Sequence, residues 1–206
     1  MNPKPEFLFD FGSPNAHLAH KVIPKIEQRT GAKFTYVPVL LGGIFKLTGN
    51  RSPIESFKSI KNKPEFLALE IQRFIRLHAI TAFKPNPYFP VNTLLLMRGA
   101  VAAQLEGVFE PYVEAGFHHM WEEPKKMDDP EAFRSALAVP GLDADRLLAR
   151  AQDQDVKDSL MALTQDAVNR GCFGCPTFFV GKEMFYGKDQ LRDVEDQIVA
   201  QQQAAR

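Results

Sequence analysis

Phe7-Leu8-Phe9-Asp10-Phe11-Gly12-Ser13-Pro14-Asn15 reads as a buried strand that stops abruptly at the start of a helix. The apolar run, interrupted only by Asp10, predicts a strand covered on both faces. Gly12 permits a tight turn, Ser13 supplies an N-cap, and Pro14 suits the first helical position, where a missing N–H is no loss. Ser13 is thereby expected where backbone N–H groups point outward from a helix N-terminus carrying roughly half a positive charge. An anion such as a thiolate held beside Ser13 would be stabilised there. A serine that only caps the helix has the same local pattern, so the junction by itself assigns no chemistry.

Outward from this junction, Ala16, Ala19, Val22, Ile23 and Ile26 have helical spacing, with a bend expected at Pro24 and a stop at Gly31. Lys33 to Val37 alternates as a second strand, giving β-α-β with parallel strands. Leu40 to Gly49 is apolar and glycine-containing, and no element is assigned to it. Past Asn50-Arg51-Ser52-Pro53 the strand pattern disappears for more than a hundred residues. Leu67, Ile71, Phe74, Ile75 and His78 mark one face of a helix from Pro64. The prolines at 85, 87 and 90 force a stiff aromatic loop from Phe83 to Pro90. Asn92 reads as the cap of a helix from Thr93 to Gly107, and Phe109 to Trp121 is again helical, with His118 and His119 facing different directions. Asp129-Pro130 and Asp143 start two more helices, and Asp155 to Arg170 is a last long one, stopped by Gly171. Strands return at Thr177 to Val180 and Glu183 to Tyr186, joined by Gly181-Lys182 as a two-residue hairpin. A terminal helix carries Leu191, Val194 and Ile198, and the polar tail Gln201 to Arg206 is expected to fray.

The fold class is therefore α/β: a thioredoxin-like fold with an inserted all-helical domain. Its expected units are residues 1–45 plus 171–206, and 46–170. Lys plus Arg and Asp plus Glu balance at 25 each, which excludes a nucleic-acid or anionic-membrane partner recognised by overall charge. No stretch approaches the roughly 18 apolar residues of a membrane helix. Residues 1–6 carry no apolar leader, and two cysteines do not make a secreted disulfide scaffold, so a cytoplasmic protein is expected.

In thioredoxin-like oxidoreductases the first helix opens with Cys-x-x-Cys, whose first thiolate the helix N-terminus stabilises. The corresponding residues here are Ser13-Pro14-Asn15-Ala16. Without sulfur the site cannot exchange a disulfide, so a nucleophile must arrive with a ligand, and Ser13 would donate a hydrogen bond to that ligand's thiolate. A free thiol has a pKa of about 8.5, and a donor at a helix terminus raises its thiolate fraction at neutral pH. Cys172-Phe173-Gly174-Cys175 does match Cys-x-x-Cys, but it follows a helix instead of opening one and has no clustered partners for zinc. No metal site is read from the chain. Pro176, at the start of a hairpin strand, is a candidate for a cis bond that turns the backbone of Cys175 toward the site, where a bound peptide would pair as an added strand.

Phe9-Asp10-Phe11-Gly12-Ser13-Pro14, Gly49-Asn50, Lys61-Asn62-Lys63, Gly174-Cys175-Pro176-Thr177 and Tyr186-Gly187-Lys188-Asp189, in this order, resemble the 2-hydroxychromene-2-carboxylate isomerases and kappa-class glutathione transferases. These are relatives of DsbA with a helical domain inserted into a thioredoxin fold. The resemblance implies glutathione as the nucleophile, a homodimer, and a small aromatic substrate isomerised by reversible thiolate addition. Ser13 would then be catalytic, holding the glutathione sulfur. Cys175, before Pro176, would pair with the cysteinyl backbone, Asn50 and Lys63 (or Lys61) would contact other polar groups of the peptide, and Lys188 and Asp189 would receive the γ-glutamyl end, with Asp189 suited to its ammonium. Tyr88, Phe89 and Asn92 would line the substrate pocket. In two places the chain departs from the pattern: Cys175 replaces an aliphatic residue and adds a thiol near the bound sulfur, and Lys188 replaces a small polar one. A kappa-type transferase uses the same thiolate site. A DsbA-type thiol-disulfide oxidoreductase is disfavoured by Ser13 and Ala16, and a non-enzymatic interaction module would show no glutathione affinity.

Overall fold

The computed structural model describes residues 3–205; Met1, Asn2 and Arg206, which belong to the expected outer unit, lie outside the described residues. Strand β1 (Glu6–Phe9) runs through the middle of a mixed four-stranded sheet. Helix α1 (Pro14–Thr30) returns the chain to β2 (Thr35–Pro38), parallel to β1, with Phe7 opposite Tyr36. On the other side β3 (Thr177–Val180) pairs antiparallel with β1, with Phe7 opposite Phe178, and β4 (Glu183–Tyr186) closes the hairpin at the edge. Gly181, at the hairpin turn, has φ of +64°, a conformation that favours glycine.

The alternation of β1 explains why both of its faces are dry. Phe7 and Phe9 point into a large core with Phe178, α1 and α10 (Leu191–Ala204), the Phe7 and Phe178 rings stacking at 5.4 Å. Leu8 points the other way, into a smaller layer with Val39, Phe179, Ile44 of α2 (Leu41–Thr48) and Ala167 of α9 (Gln154–Asn169). Between the two parts of the sheet come α3 (Pro53–Phe57), α4 (Lys63–His78), α5 (Leu94–Leu105), α6 (Phe109–Trp121), α7 (Pro130–Ala136) and α8 (Ala144–Arg150). Phe74 is buried on the face that Leu67, Ile71, Ile75 and His78 share. The caps form as expected at Ser13, Asp129 and Asp143, whose side chains accept from backbone N–H groups of the first turn.

The structure corrects two expectations. Leu40 to Gly49 holds α2, masked in the sequence by Gly42 and Gly43 and by the lack of a capping side chain at Leu40. Its start is capped from far along the chain instead: Leu40 N–H donates to Thr164 Oγ1 at 2.9 Å and Leu41 N–H to Asp10 Oδ2 at 2.8 Å. The tail is helical to Ala204, because Gln201 Nε2 donates to the Val180 carbonyl at 2.9 Å and holds the last turn to the sheet.

The packing of α6 against the end of β1 leaves no room for a side chain at Gly116, where a Cβ would lie 2.5 Å from the Phe11 ring. That ring is held by Phe117 at 4.8 Å and cannot step aside. Gly116→Ala is expected to lower stability by about 1–3 kcal/mol in urea titration. Gly42→Ala, with nothing within 4 Å of its Cβ, should be neutral or stabilising by up to about 1 kcal/mol.

Candidate active site

Two loops meet where β1 gives way to α1. Ser13, 5 % exposed, accepts from Ala16 N–H at 3.2 Å, and its own hydroxyl donates to the Cys175 carbonyl at 3.0 Å across 162 residues of sequence. The Cys175–Pro176 peptide bond is cis, as expected. The Phe89–Pro90 bond, not anticipated, is cis as well. The Pro176 carbonyl accepts from Gly187 N–H at 2.9 Å, which fixes the start of the 3-10 turn Lys188–Gln190 against the same loop. From the opposite direction Asn50 Nδ2 donates to the Phe173 carbonyl at 2.8 Å.

Beneath this junction Asp10 is fully buried, and its carboxylate accepts from Gly12 N–H at 2.8 Å, Leu41 N–H at 2.8 Å and Thr93 Oγ1 at 3.0 Å. Burial pushes its pKa up, against the lowering effect of those three donors. Trp121 Nε1 donates to the Phe11 carbonyl at 2.7 Å, so the backbone leading to Ser13 is tied from below by Asp10 and from the side by α6.

Two cavities border the turn that carries Ser13, one lined by Pro14 and the other by Gly12. The first, about 470 Å³, is predominantly apolar; Pro14, Ile71, Ile75, Phe83, Phe89 and Trp121 are among the residues lining it. The Phe83 and Phe89 rings each lie 5.9 Å from Trp121. The second, about 360 Å³, is lined by Asp10, Gly12, Leu41, Ser52, Phe89 and Asn92 among others. Phe89 borders both. The proline loop is pinned by Asn86, whose Nδ2 donates to the Met120 carbonyl at 3.1 Å and whose Oδ1 accepts from Tyr88 N–H at 2.9 Å.

Hydrogen bonds bring Ser13, Cys175, Pro176 and the Lys188–Asp189 turn together, with Asn50 on their border. Lys63 stands apart: among the described residues no hydrogen bond joins it to that group, and its ammonium lies over Phe57 and Phe66 at 5.1 and 5.9 Å. Lys61 is exposed. Tyr88 lines neither flanking cavity and is half-exposed, whereas Asn92 reaches the second and accepts from Leu94 N–H at 3.0 Å. The Cys175 thiol is buried in the smaller core layer, and burial pushes its pKa well up, so it is a protonated core group and a poor thiol nucleophile. Cys172 and Cys175 are both free. Lys188 is buried, its ammonium paired with Glu70 and Asp189.

Sequence reasoning missed Glu70, Trp121, Phe83 and the part Asp10 plays. The repeated apolar-aromatic pattern signalled burial at Phe83 and Trp121 but not a shared cavity, and nothing local pairs Glu70 with a lysine 118 residues away. It also missed that His118, His119 and Glu123 gather ligand-type atoms within 4.8 Å of one another at the end of α6.

Asp10→Asn should lower stability by about 1–3 kcal/mol, because an amide brings two N–H groups into a pocket that already supplies three donors, where the carboxyl brings at most one. The wild-type carboxyl has its pKa raised on folding. The stability linked to its proton is therefore complete below about pH 4 and is lost as pH rises through the folded pKa. Urea titrations across pH should show the gap between wild type and Asp10→Asn narrowing as pH rises. A gap that widens would mean that the three donors outweigh burial.

Residues 6–199 match the DSBA-like thioredoxin domain. The chain is 25 % identical over 194 residues to a 2-hydroxychromene-2-carboxylate isomerase of Sphingobium xenophagum, covering 94 % of this chain and 97 % of that one. It is 26 % identical to glutathione S-transferase kappa 1 of Rattus norvegicus, covering 93 % and 90 %. Among solved structures, a 2-hydroxychromene-2-carboxylate isomerase superposes with a TM-score of 0.81 at 27 % identity, covering 98 % of each chain. With nearly its whole length matched and β1, α1 and the Pro176 hairpin in the expected order, the chain belongs to the DSBA-like thioredoxin domain family.

Proposed function

We propose that this protein is a glutathione-dependent isomerase acting on 2-hydroxychromene-2-carboxylate or a related aromatic substrate. The observation that carries the reading is the Ser13 hydroxyl, bridging the N-terminus of α1 and the Cys175 carbonyl beside an apolar, aromatic-walled cavity. A serine there supplies a hydrogen-bond donor and a helix terminus for a thiolate, and no thiol of its own. Relatives bearing the names isomerase and glutathione transferase support the same chemistry.

The residues present fit glutathione at its sulfur and backbone. Ser13 has one hydroxyl proton, spent on the Cys175 carbonyl. Turning that proton to a ligand sulfur frees the carbonyl to accept the peptide N–H of the ligand's cysteine, so one exchange satisfies both groups. The N–H groups at the start of α1 add their partial positive charge. Asn50, Pro176, Lys188 and Asp189 would border the peptide, with Lys63 at its carboxylate end. Bound glutathione would supply a thiolate that adds reversibly to the unsaturated substrate and is regenerated. Phe89, Phe83 and Trp121 would hold the aromatic ring and exclude water, with Asn92 on the far side and Tyr88 at the outer edge of the loop.

The division into residues 1–45 plus 171–206 and 46–170 is part of the proposal, with its first junction falling inside α2. So are a homodimer and a cytoplasmic setting. The two free thiols support a reducing compartment. Among the described residues no helix is long and apolar enough to cross a membrane. A kappa-type transferase is the second reading, favoured by the relatives of that name.

Incubation with 2-hydroxychromene-2-carboxylate and glutathione should interconvert isomers while total glutathione stays constant; steady accumulation of a conjugate would favour the transferase. Ser13→Ala should lower kcat/KM roughly 100-fold, the size expected for loss of one donor to a developing anion. The same variant should leave quenching of Trp121, the single tryptophan, by the aromatic carboxylate unchanged.

A further inference from the structure

Helix α6 closes on His118-His119-Met120-Trp121, and Glu122 and Glu123 follow it. Adjacent positions on a helix point apart, yet at this end the His118 and His119 rings meet edge to face, their centres 4.7 Å apart. One ring nitrogen of each and a carboxylate oxygen of Glu123 lie within 4.8 Å of one another. None of the three side chains lines the cavities beside the Ser13 turn.

The hydrogens on His118 are placed by its neighbour. Its Nδ1 is 3.0 Å from Glu122 Oε2, and a carboxylate only accepts, so Nδ1 carries the hydrogen. The lone pair of the neutral ring is then on Nε2, 3.5 Å from Glu123 Oε2. That gap exceeds the roughly 3.2 Å limit of an N–H···O bond. It is close to the separation of about 3.4 Å between two ligands of a tetrahedral zinc ion, given bonds of about 2.1 Å. His119 is 8 % exposed, and among the described residues its Nδ1 has no hydrogen-bond partner. A buried ring nitrogen without a partner is destabilising, and a metal ion at its lone pair would relieve that. The His118 and Glu123 side chains, 38 % and 64 % exposed, have room to rotate toward the buried ring. Lys125 opposes a cation at His119, whereas Glu123 and the negative end of α6 favour one.

We propose that His118, His119 and Glu123 form a site for a zinc ion, with at least one coordination position left to water. Two imidazoles and a single carboxylate suit zinc, and they do not suit Mg2+ or Ca2+, which call for oxygen ligands. Glu122 stands behind His118 as the carboxylate that orients a ligating imidazole, and it also takes the Lys21 ammonium of α1 at 2.7 Å. A bound ion would therefore fix the end of α6 against α1. The site is separate from the Ser13 junction, and the proposal stands or falls independently of the glutathione reading.

Calorimetric titration of the full chain with zinc sulfate, without glutathione, is expected to give one ion per chain. His118→Ala and Glu123→Gln, both at exposed side chains, should each weaken that binding at least about tenfold. Magnesium chloride over the same range should give no binding heat, and equal binding of magnesium would overturn the choice of metal. In long-range proton–nitrogen NMR spectra, zinc should shift the ring signals of His118 and His119 and leave those of His20 and His78 in place. Absence of zinc binding, or binding that survives both substitutions as it would at the free Cys172 thiol, overturns the proposal.

Discussion

A carboxylate with no access to water requires donors, and Asp10 obtains them from three parts of the chain. Gly12 lies in the turn after β1, Leu41 at the start of α2, and Thr93 at the start of α5. Meeting this requirement joins the sheet to both helical layers directly beneath Ser13. The cost of burying the group appears as its raised pKa, and the return is a turn whose backbone cannot drift. Trp121 adds a fourth tie through the Phe11 carbonyl, on the side where the apolar cavity opens.

On that base the chemistry is a matter of what is absent as much as what is held. The helix N-terminus that would stabilise a cysteine thiolate in a redox relative carries Ser13 and Ala16. The two cysteines the chain does have are buried near the Pro176 hairpin, where Cys172 donates weakly to the Gly174 carbonyl at 3.2 Å and the Cys175 thiol sits in a core layer. The electropositive terminus thus has no sulfur and the sulfurs have no electropositive terminus. The proposal of a thiol carried in from outside rests on this pairing of a donor, an apolar wall and an exchangeable carbonyl.

The elements were largely legible because their signals are local. Ser13-Pro14, Asp129-Pro130 and Asp143 announced helix starts, and Gly181-Lys182 between two apolar runs announced the hairpin. The helix α2 was not legible, because its N-terminal donors are satisfied by Asp10 and Thr164, 31 and 124 residues away. For the same reason the reading of Lys188 stopped at an unusual residue in a familiar position: its meaning lies in Glu70, on a helix far back in the chain. Ser13, Cys175 and Pro176 were singled out by sequence order, and their meeting at 3.0 Å is a fact of the fold. Lys63 shows the converse, being picked by the same resemblance yet resting on Phe57 and Phe66.

The central claim is that the junction of β1 and α1 activates a thiol that the protein does not itself contain. Its most direct test is the ionisation of glutathione on the protein, followed by thiolate absorbance as pH is raised under saturating protein. The account predicts a bound thiol that titrates at least about one unit below the free value of about 8.5, and that moves back toward it in Ser13→Ala. A bound thiol that titrates as it does in free solution would contradict it.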